Sequence, residues 1–159
     1  EGLFLENLKK SYKCTTISEL LSRLRTHPTS IVIAQAALES GWGTSRFYTQ
    51  ANNIFGVWSY SENEDRIKAS ETRDGTEVYV KKYTSLPESI SSYFKTLARG
   101  PYPTFRSQRE KTNDVYQLTP HLKVYSELKE EYVRRLESLI RYNKLEQYDN
   151  YVLKVKIEE

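Results

Sequence analysis

Apolar residues recur at helical spacing over three stretches near the start of the chain. Residues 3–12 and Ile17–Leu24 each place apolar side chains on one face and charged ones on the other, which predicts two short amphipathic helices. The third stretch, Thr29–Ser40, follows Pro28, and proline is tolerated in the first turn of a helix. It is apolar on almost every side, as buried helices are. We therefore expect Thr29–Ser40 to be the central helix, ended by the glycines that follow it.

The pattern changes between residues 51 and 83, where helical periodicity is lost. Residues 66–83 indicate two strands around Asp74-Gly75, a dipeptide typical of tight hairpin turns. Helical periodicity returns after Ser85, which opens a capping box with Glu88. Further helices are predicted over residues 90–97, residues 115–125 and Glu130–Tyr142.

These elements predict a mainly helical (α+β) fold. We expect a single domain over residues 1–159, with a β-hairpin lobe around residues 60–84 that flanks a cleft. The 38% hydrophobic and 28% charged residues are typical of a soluble globular protein. No apolar run has the length of a membrane span, and we expect no transmembrane segment. Since the chain starts at a glutamate and has no methionine, we interpret it as a trimmed segment of a longer protein.

The composition excludes several kinds of catalytic and binding site. The single cysteine, Cys14, excludes an internal disulfide, and the two histidines, His27 and His121, lack carboxylates or thiols at metal-ligand spacing. We therefore expect no metal, no cofactor and no Cys/His nucleophile. The net charge of +3 suits an anionic polymer, but Lys and Arg are not clustered as nucleic-acid binding would require.

Glu39 stands out because it ends the apolar helix. Glutamate is rarely buried without a partner, and no Lys or Arg lies between Arg25 and Arg46. Burial without a cation raises the pKa of a carboxyl group, which is the state a general acid needs near neutral pH. On periodicity alone, an exposed position on the helix is about equally compatible with the sequence. The Gly-Trp-Gly that follows favours a site, because glycines admit a close ligand and Trp42 offers a plane for sugar stacking.

Two carboxylates usually cooperate in glycoside hydrolysis, and the hairpin offers Glu71 and Glu77 for the second. With a two-residue turn at Asp74-Gly75, Glu71 lies opposite Val78 on the apolar face, and Glu77 lies on the other face. We prefer Glu71 for that reason. A longer loop would change the register, so Glu77 remains the alternative.

Two motifs carry a family resemblance: AQAALESGWGTSRF at residues 34–47 and NNIFGVW at residues 52–58. They resemble the glucosaminidase family of the lysozyme superfamily, and within it most closely the Bax-type branch. Similarity continues through YTSLPESISSYFKTL (residues 83–97), YPTFR (residues 102–106) and residues 125–149, so that it covers nearly the whole chain in order.

The resemblance implies a lysozyme-like fold and an endo-β-N-acetylglucosaminidase, which hydrolyses the β-1,4 bond after N-acetylglucosamine in peptidoglycan. It places the catalytic acid on Glu39, the second carboxylate on Glu71 or Glu77, and a further catalytic side chain on Tyr125. The residues expected to bind substrate are Trp42, Asn53, Phe55, Gly56, Trp58 and Tyr102, although Pro101 directly precedes Tyr102 where the family has a Pro-x-Tyr segment.

The mechanism is open at this point. A hairpin carboxylate could activate water and invert the configuration, or the substrate's N-acetyl group could assist and retain it. A lytic transglycosylase of the same fold and a non-catalytic wall-binding module are the alternatives. The expected partner is the peptidoglycan glycan strand, bound by a monomer in the periplasm, the cell envelope or outside the cell. Such a location requires an export signal upstream of the segment.

Overall fold

The computed structural model describes residues 2–73 and 75–151, apart from the side chains of Glu71 and Arg73. Helices precede and follow a small antiparallel sheet. In chain order the elements are α1 (Gly2–Ser11), α2 (Ile17–Leu24), α3 (Thr29–Ser40), α4 (Arg46–Ala51), β1 (Trp58–Ser59), β2 (Arg66–Arg73), β3 (Thr76–Lys81), α5 (Leu86–Arg99), α6 (Pro103–Gln108), α7 (Val115–Leu118), a 3₁₀ helix (Thr119–Tyr125), α8 (Glu130–Tyr142) and a second 3₁₀ helix (Leu145–Asn150). No helix among the described residues is long and apolar enough to cross a membrane.

Helix α3 lies at the centre of the core, as its all-round apolar sequence predicts. Ile31 and Ala34 are fully buried. Helix α8 packs against α3 with a buried stripe at four-residue spacing, which is one face of a helix: Tyr132, Leu136 and Ile140. The first turn of α3 lacks a cap from Pro28. Instead, the Asp149 carboxylate accepts hydrogen bonds from the Ser30 backbone N–H (2.7 Å) and hydroxyl (2.8 Å).

The sequence predicted the bounds of α2, α3 and α8 correctly, but it missed three short elements. Helix α4 has six residues and is capped by Ser45, and α6 has six residues and begins at Pro103. Strand β1 consists of two residues whose pairing with β3 decides their structure, so the predicted hairpin is in fact a three-stranded sheet. The helix predicted over residues 115–125 changes to 3₁₀ geometry at Thr119, where Pro120 cannot donate an α-helical hydrogen bond.

The sheet has the strand order β1-β3-β2. Arg73 pairs with Thr76, as the predicted two-residue turn requires, whereas Lys68 pairs with Tyr79. The register therefore shifts between Lys68 and Thr72, where β2 contains two more residues than β3. A shift of two residues keeps each side chain on its original face. The base of the hairpin is held by Arg46 of α4, which donates to the Lys68 carbonyl oxygen at 2.5 Å.

Candidate active site

Glu39 lies in the last turn of α3, on the wall of an open cleft of about 1530 Å³. Burial raises the pKa of its carboxyl group from the usual 4.5 to about 7. A hydrogen bond from the Tyr132 hydroxyl acts in the opposite direction and is the weaker influence. Burial dominates because it removes water from the charged form, and no cation of the described residues replaces that water. The Glu39 carboxyl therefore keeps its proton to a higher pH than an exposed glutamate does.

The loop between α4 and β1 forms the floor beneath this carboxyl. Gly56 has a φ of 62°, and a Cβ atom at that position would lie 3.8 Å from Glu39 Oε2. Glycine adopts this left-handed backbone without strain and keeps the space beside the carboxyl open. Phe55 is 2% exposed and stacks on the Tyr93 ring at 4.0 Å between ring centroids. The floor is therefore rigidly supported from the core.

Asn53 holds this loop in place rather than facing the cleft. Its side chain is 1% exposed. Its amide nitrogen donates to the carbonyl oxygens of Val57 (3.0 Å) and Lys81 (2.8 Å), and its oxygen accepts from the Val57 backbone N–H. Asn53 thus joins the floor of the cleft to the end of β3. The structure places it among the supporting residues and not on the cleft surface, where substrate would bind.

Tyrosine rings form the side of the cleft next to Glu39. The Tyr125 hydroxyl donates to the Phe55 carbonyl oxygen at 3.1 Å, and its ring stacks on Tyr132 with 5.8 Å between centroids. Tyr102 packs 6.2 Å from Tyr125, and burial raises the pKa of Tyr102 to about 12. The phenols are therefore neutral hydrogen-bonding groups at any pH at which Glu39 titrates.

The remaining cleft surface comes from the sheet and from the segment before α8. The sheet contributes small and aliphatic side chains, and residues 123–130 also line the cleft. Trp58 is 36% exposed and lies 6.2 Å from the Tyr60 ring, which is 85% exposed. Two exposed aromatic planes beside an acid are suited to sugar binding. The sheet residues that line the cleft are Ala69, Thr72, Val78 and Val80.

The two hairpin glutamates occupy different positions. The Glu77 carboxylate is bound by Lys68 and accepts a hydrogen bond from the Tyr79 hydroxyl at 2.7 Å. Glu77 is not one of the residues that line the cleft, although its neighbour Val78 and its cross-strand partner Thr72 are. The Glu71 backbone belongs to β2, between the cleft-lining residues Ala69 and Thr72, and its side chain lies outside the described part of the chain.

Of the nine residues predicted for the site, the structure brings six together around one cleft: Glu39, Phe55, Gly56, Trp58, Tyr102 and Tyr125. Trp42 is not one of the cleft-lining residues. It is 65% exposed and has a φ of 58°, a backbone conformation that residues other than glycine rarely adopt. Among residues 2–73 and 75–151, no three His, Cys, Asp or Glu side chains are arranged to hold a metal ion.

The sequence did not identify Tyr132 or Gln35 as parts of the site. Tyr132 occurs on the apolar stripe of α8, so the pattern predicts its burial but not its contact with Glu39. Gln35 could have been identified as a site residue from the sequence pattern. It is a polar residue in an apolar helix, one turn before Glu39 and hence on the same face.

The glucosaminidase family model, described as mannosyl-glycoprotein endo-β-N-acetylglucosaminidase, matches residues 14–145. The chain belongs to this family. Among individual relatives, the chain is 35% identical over 91 residues to Protein bax of Escherichia coli, a match that covers 57% of this chain and 31% of that protein. It is 36% identical over 76 residues to the exo-glucosaminidase LytG of Bacillus subtilis, covering 45% of this chain and 27% of LytG. The glucosaminidase chain therefore matches less than a third of the length of either relative.

Solved structures agree with the family assignment. The catalytic domain of the autolysin Auto from Listeria monocytogenes superposes with a TM-score of 0.65 at 27% identity, covering 93% of this chain and 86% of that domain. A glycoside hydrolase domain of FlgJ from Salmonella typhimurium superposes with a TM-score of 0.56 at 25% identity, covering 89% and 95%. The predictions of a lysozyme-like fold and of a glycoside hydrolase of the glucosaminidase family are confirmed.

Proposed function

We propose that this glucosaminidase domain hydrolyses the β-1,4 bond after N-acetylglucosamine within peptidoglycan strands, with Glu39 as the general acid. The observation that carries the proposal is the partly desolvated Glu39 carboxyl on the cleft wall, whose pKa is raised to about 7. A group with this pKa is protonated often enough to act as an acid at neutral pH and gives up its proton readily.

In the proposed reaction, the Glu39 proton passes to the glycosidic oxygen while the bond between that oxygen and the anomeric carbon breaks. The electron pair of the bond stays on the leaving oxygen, and the sugar ring develops positive charge. The Tyr125 hydroxyl donates a hydrogen bond to the Phe55 carbonyl oxygen, and the Tyr125 side chain lies next to Glu39. We assign Tyr125 a role in ordering the sugar at this position, with Trp58 and Tyr102 as further contacts.

For the second carboxylate we retain Glu71. Its backbone lies between the cleft-lining residues Ala69 and Thr72, whereas Glu77 is not one of the cleft-lining residues and is engaged by Lys68 and Tyr79. A Glu71 carboxylate across the cleft would take a proton from water as that water attacks, and the product would have inverted configuration. If Glu71→Gln retains activity and the product retains its configuration, assistance by the substrate's N-acetyl group replaces this step.

The proposed substrate also determines where the protein works. Peptidoglycan strands lie outside the cytoplasmic membrane, so we propose a location in the cell envelope or outside the cell. The cleft is open, and its lining includes the sheet and residues 123–130, which suits a strand bound along its length. Endo cleavage would release fragments of mixed length from purified sacculi.

The test is digestion of purified sacculi followed by mass spectrometry of the products. We expect reducing-end N-acetylglucosamine, and a loss of about 10²- to 10⁴-fold in rate for Glu39→Gln. The matched control is Glu62→Gln, which removes a carboxylate whose side chain is 89% exposed and should leave the rate unchanged. Products ending in 1,6-anhydromuramic acid would show a lytic transglycosylase instead. Binding of sacculi without cleavage by the unaltered protein would show a wall-binding module.

A further inference from the structure

A continuous row of buried hydrogen bonds leads through the core to Glu39. Its four members come from different parts of the fold and are each at most 7% exposed. His27 Nε2 lies 2.9 Å from the Tyr93 hydroxyl oxygen, which lies 2.6 Å from Gln35 Oε1. Gln35 Nε2 lies 2.8 Å from the Tyr132 hydroxyl oxygen, and Tyr132 hydrogen-bonds the Glu39 carboxyl. We call the four residues His27, Tyr93, Gln35 and Tyr132 the polar chain.

The hydrogen count gives this chain a direction. A tyrosine hydroxyl has one hydrogen, and that of Tyr93 goes to Gln35 Oε1. The Tyr93 oxygen must then accept from His27, which therefore carries its proton on Nε2. At the other end, Gln35 Nε2 donates to the Tyr132 oxygen. The Tyr132 hydrogen is therefore left for the Glu39 carboxyl.

The His27 end of the chain favours the same direction. Burial and the nearby Arg109 lower the pKa of His27 to about 3, so the ring is neutral and carries one proton. Its Nδ1 atom is buried and has no hydrogen-bond partner among the described residues. A buried N–H without an acceptor is rarer than an acceptor without a donor. The proton is thus better placed on Nε2, where the Tyr93 oxygen accepts it.

We propose that the polar chain fixes the direction of the Tyr132 hydroxyl, so that Tyr132 donates to the Glu39 carboxylate, and that Gln35 is the positioning residue that sets this direction. The inference rests on the proposed role of Glu39 as the acid. When Glu39 gives its proton to the leaving oxygen, negative charge develops on its carboxyl group. A donor that already points at that charge stabilises it without reorganisation.

The groups facing Glu39 allow this effect to be measured on Glu39 itself. Tyr93 of α5, Tyr102 before α6, Tyr125 before α8 and Tyr132 of α8 all interact with Glu39, and the pKa of each phenol is raised. All four are therefore neutral from pH 4 to pH 9. None of these four phenols therefore changes its charge while Glu39 titrates.

The first test uses the unaltered protein and needs no catalysis. Nitrogen NMR of His27 is expected to show a neutral ring protonated on Nε2 from pH 5 to pH 8. A proton on Nδ1 would mean that the chain runs in the other direction, away from Glu39, and would overturn the proposal. Because this measurement uses no variant, it remains decisive even if a substituted core does not fold.

The second test is a double-mutant cycle read by carbon NMR of the Glu39 carboxyl. Tyr132→Phe removes the donor and should raise the Glu39 pKa by about one unit, as expected for a hydrogen bond to a charged group. Gln35→Leu should raise it by a smaller amount, because the Tyr132 hydroxyl is still present but is no longer held in position by the Gln35 donor. In the Tyr132→Phe background, Gln35→Leu should add no further shift. An unmoved Glu39 pKa in Gln35→Leu, or additive shifts in the double variant, would contradict the proposal.

Thr119→Val is the control for general damage to the core. Thr119 is fully buried and donates to Glu137 at 2.7 Å, away from the polar chain. It should lower stability without moving the Glu39 pKa. In assays with a soluble glycan, Gln35→Leu should lower kcat and leave KM unchanged, since Gln35 does not reach the cleft. Failure of Glu39 as the acid is recognised separately, because Glu39→Gln would then stay active whatever the NMR results.

Discussion

Replacing Glu39, the proposed acid, by glutamine should make the folded protein more stable at alkaline pH. The folded state holds the Glu39 proton more tightly than the unfolded chain does, because the pKa is about 7 rather than the usual 4.5. The stability that this proton provides is fully present below pH 4.5 and is lost as the pH rises through 7. Above that pH, the folded protein contains a partly buried charge that glutamine would not introduce.

The size of the effect follows from the same two pKa values. One pKa unit corresponds to about 1.4 kcal/mol, so the difference between 4.5 and about 7 corresponds to about 3 kcal/mol. Glutamine has nearly the shape of a protonated glutamic acid and can still accept from Tyr132. We therefore expect Glu39→Gln to match the unaltered protein in stability at pH 4 and to exceed it by about 3 kcal/mol at pH 8.5.

Urea denaturation followed by tryptophan fluorescence at pH 4, 5.5, 7 and 8.5 measures this difference directly. Urea is preferable to guanidinium because it does not screen charges. The control Glu62→Gln alters a carboxylate that is 89% exposed, and it should show no gain that grows with pH. A constant difference between Glu39→Gln and the unaltered protein across this range would refute the reasoning, because burial would then not be acting on the charged form.

Three further predictions concern the site and its supports. The rate of glycan cleavage should fall as the pH rises through about 7, since the acid must be protonated, and a pH–rate profile checks this. Asn53→Ala removes three hydrogen bonds that hold the cleft floor, and urea denaturation should show a loss of about 2–4 kcal/mol together with reduced activity. Asp149→Ala removes the remote cap of α3 at Ser30 and should cost about 1–2 kcal/mol in the same assay, with little change in the rate per folded molecule.

Much of the helical framework could be predicted from the sequence because its signals are local. Helix α2 has an N-cap in Thr16, and α3 is uniformly apolar up to Gly41, whose left-handed backbone ends the helix. The two-residue turn was predicted from Asp74-Gly75 alone, and the pairing of Arg73 with Thr76 agrees with it. In each case a few neighbouring residues are enough to predict the element.

The features that were missed depend on contacts between distant parts of the chain. Strand β1 exists because β3 pairs with it, and the shift in β2 has no marker such as a glycine between Lys68 and Thr72. The unpaired burial of Glu39 was predicted from the absence of nearby cations. Its contact with Tyr132, almost a hundred residues later, has no counterpart in a linear pattern.

The attachment of the hairpin has a consequence for redesigning this protein. Arg46 donates a hydrogen bond to Lys68 of β2, and Asn53 donates one to Lys81 of β3. Both contacts lie at the base of the hairpin. Glu39 and its hydrogen-bond donor Tyr132 belong to α3 and α8, outside the hairpin. Except for Glu71, which we propose as the second carboxylate, residues 69–73 and 75–77 can therefore be replaced as one segment. Hairpin tips of different length or charge, grafted between Lys68 and Lys81, would vary substrate choice. Glu39 and Tyr132 would remain unchanged.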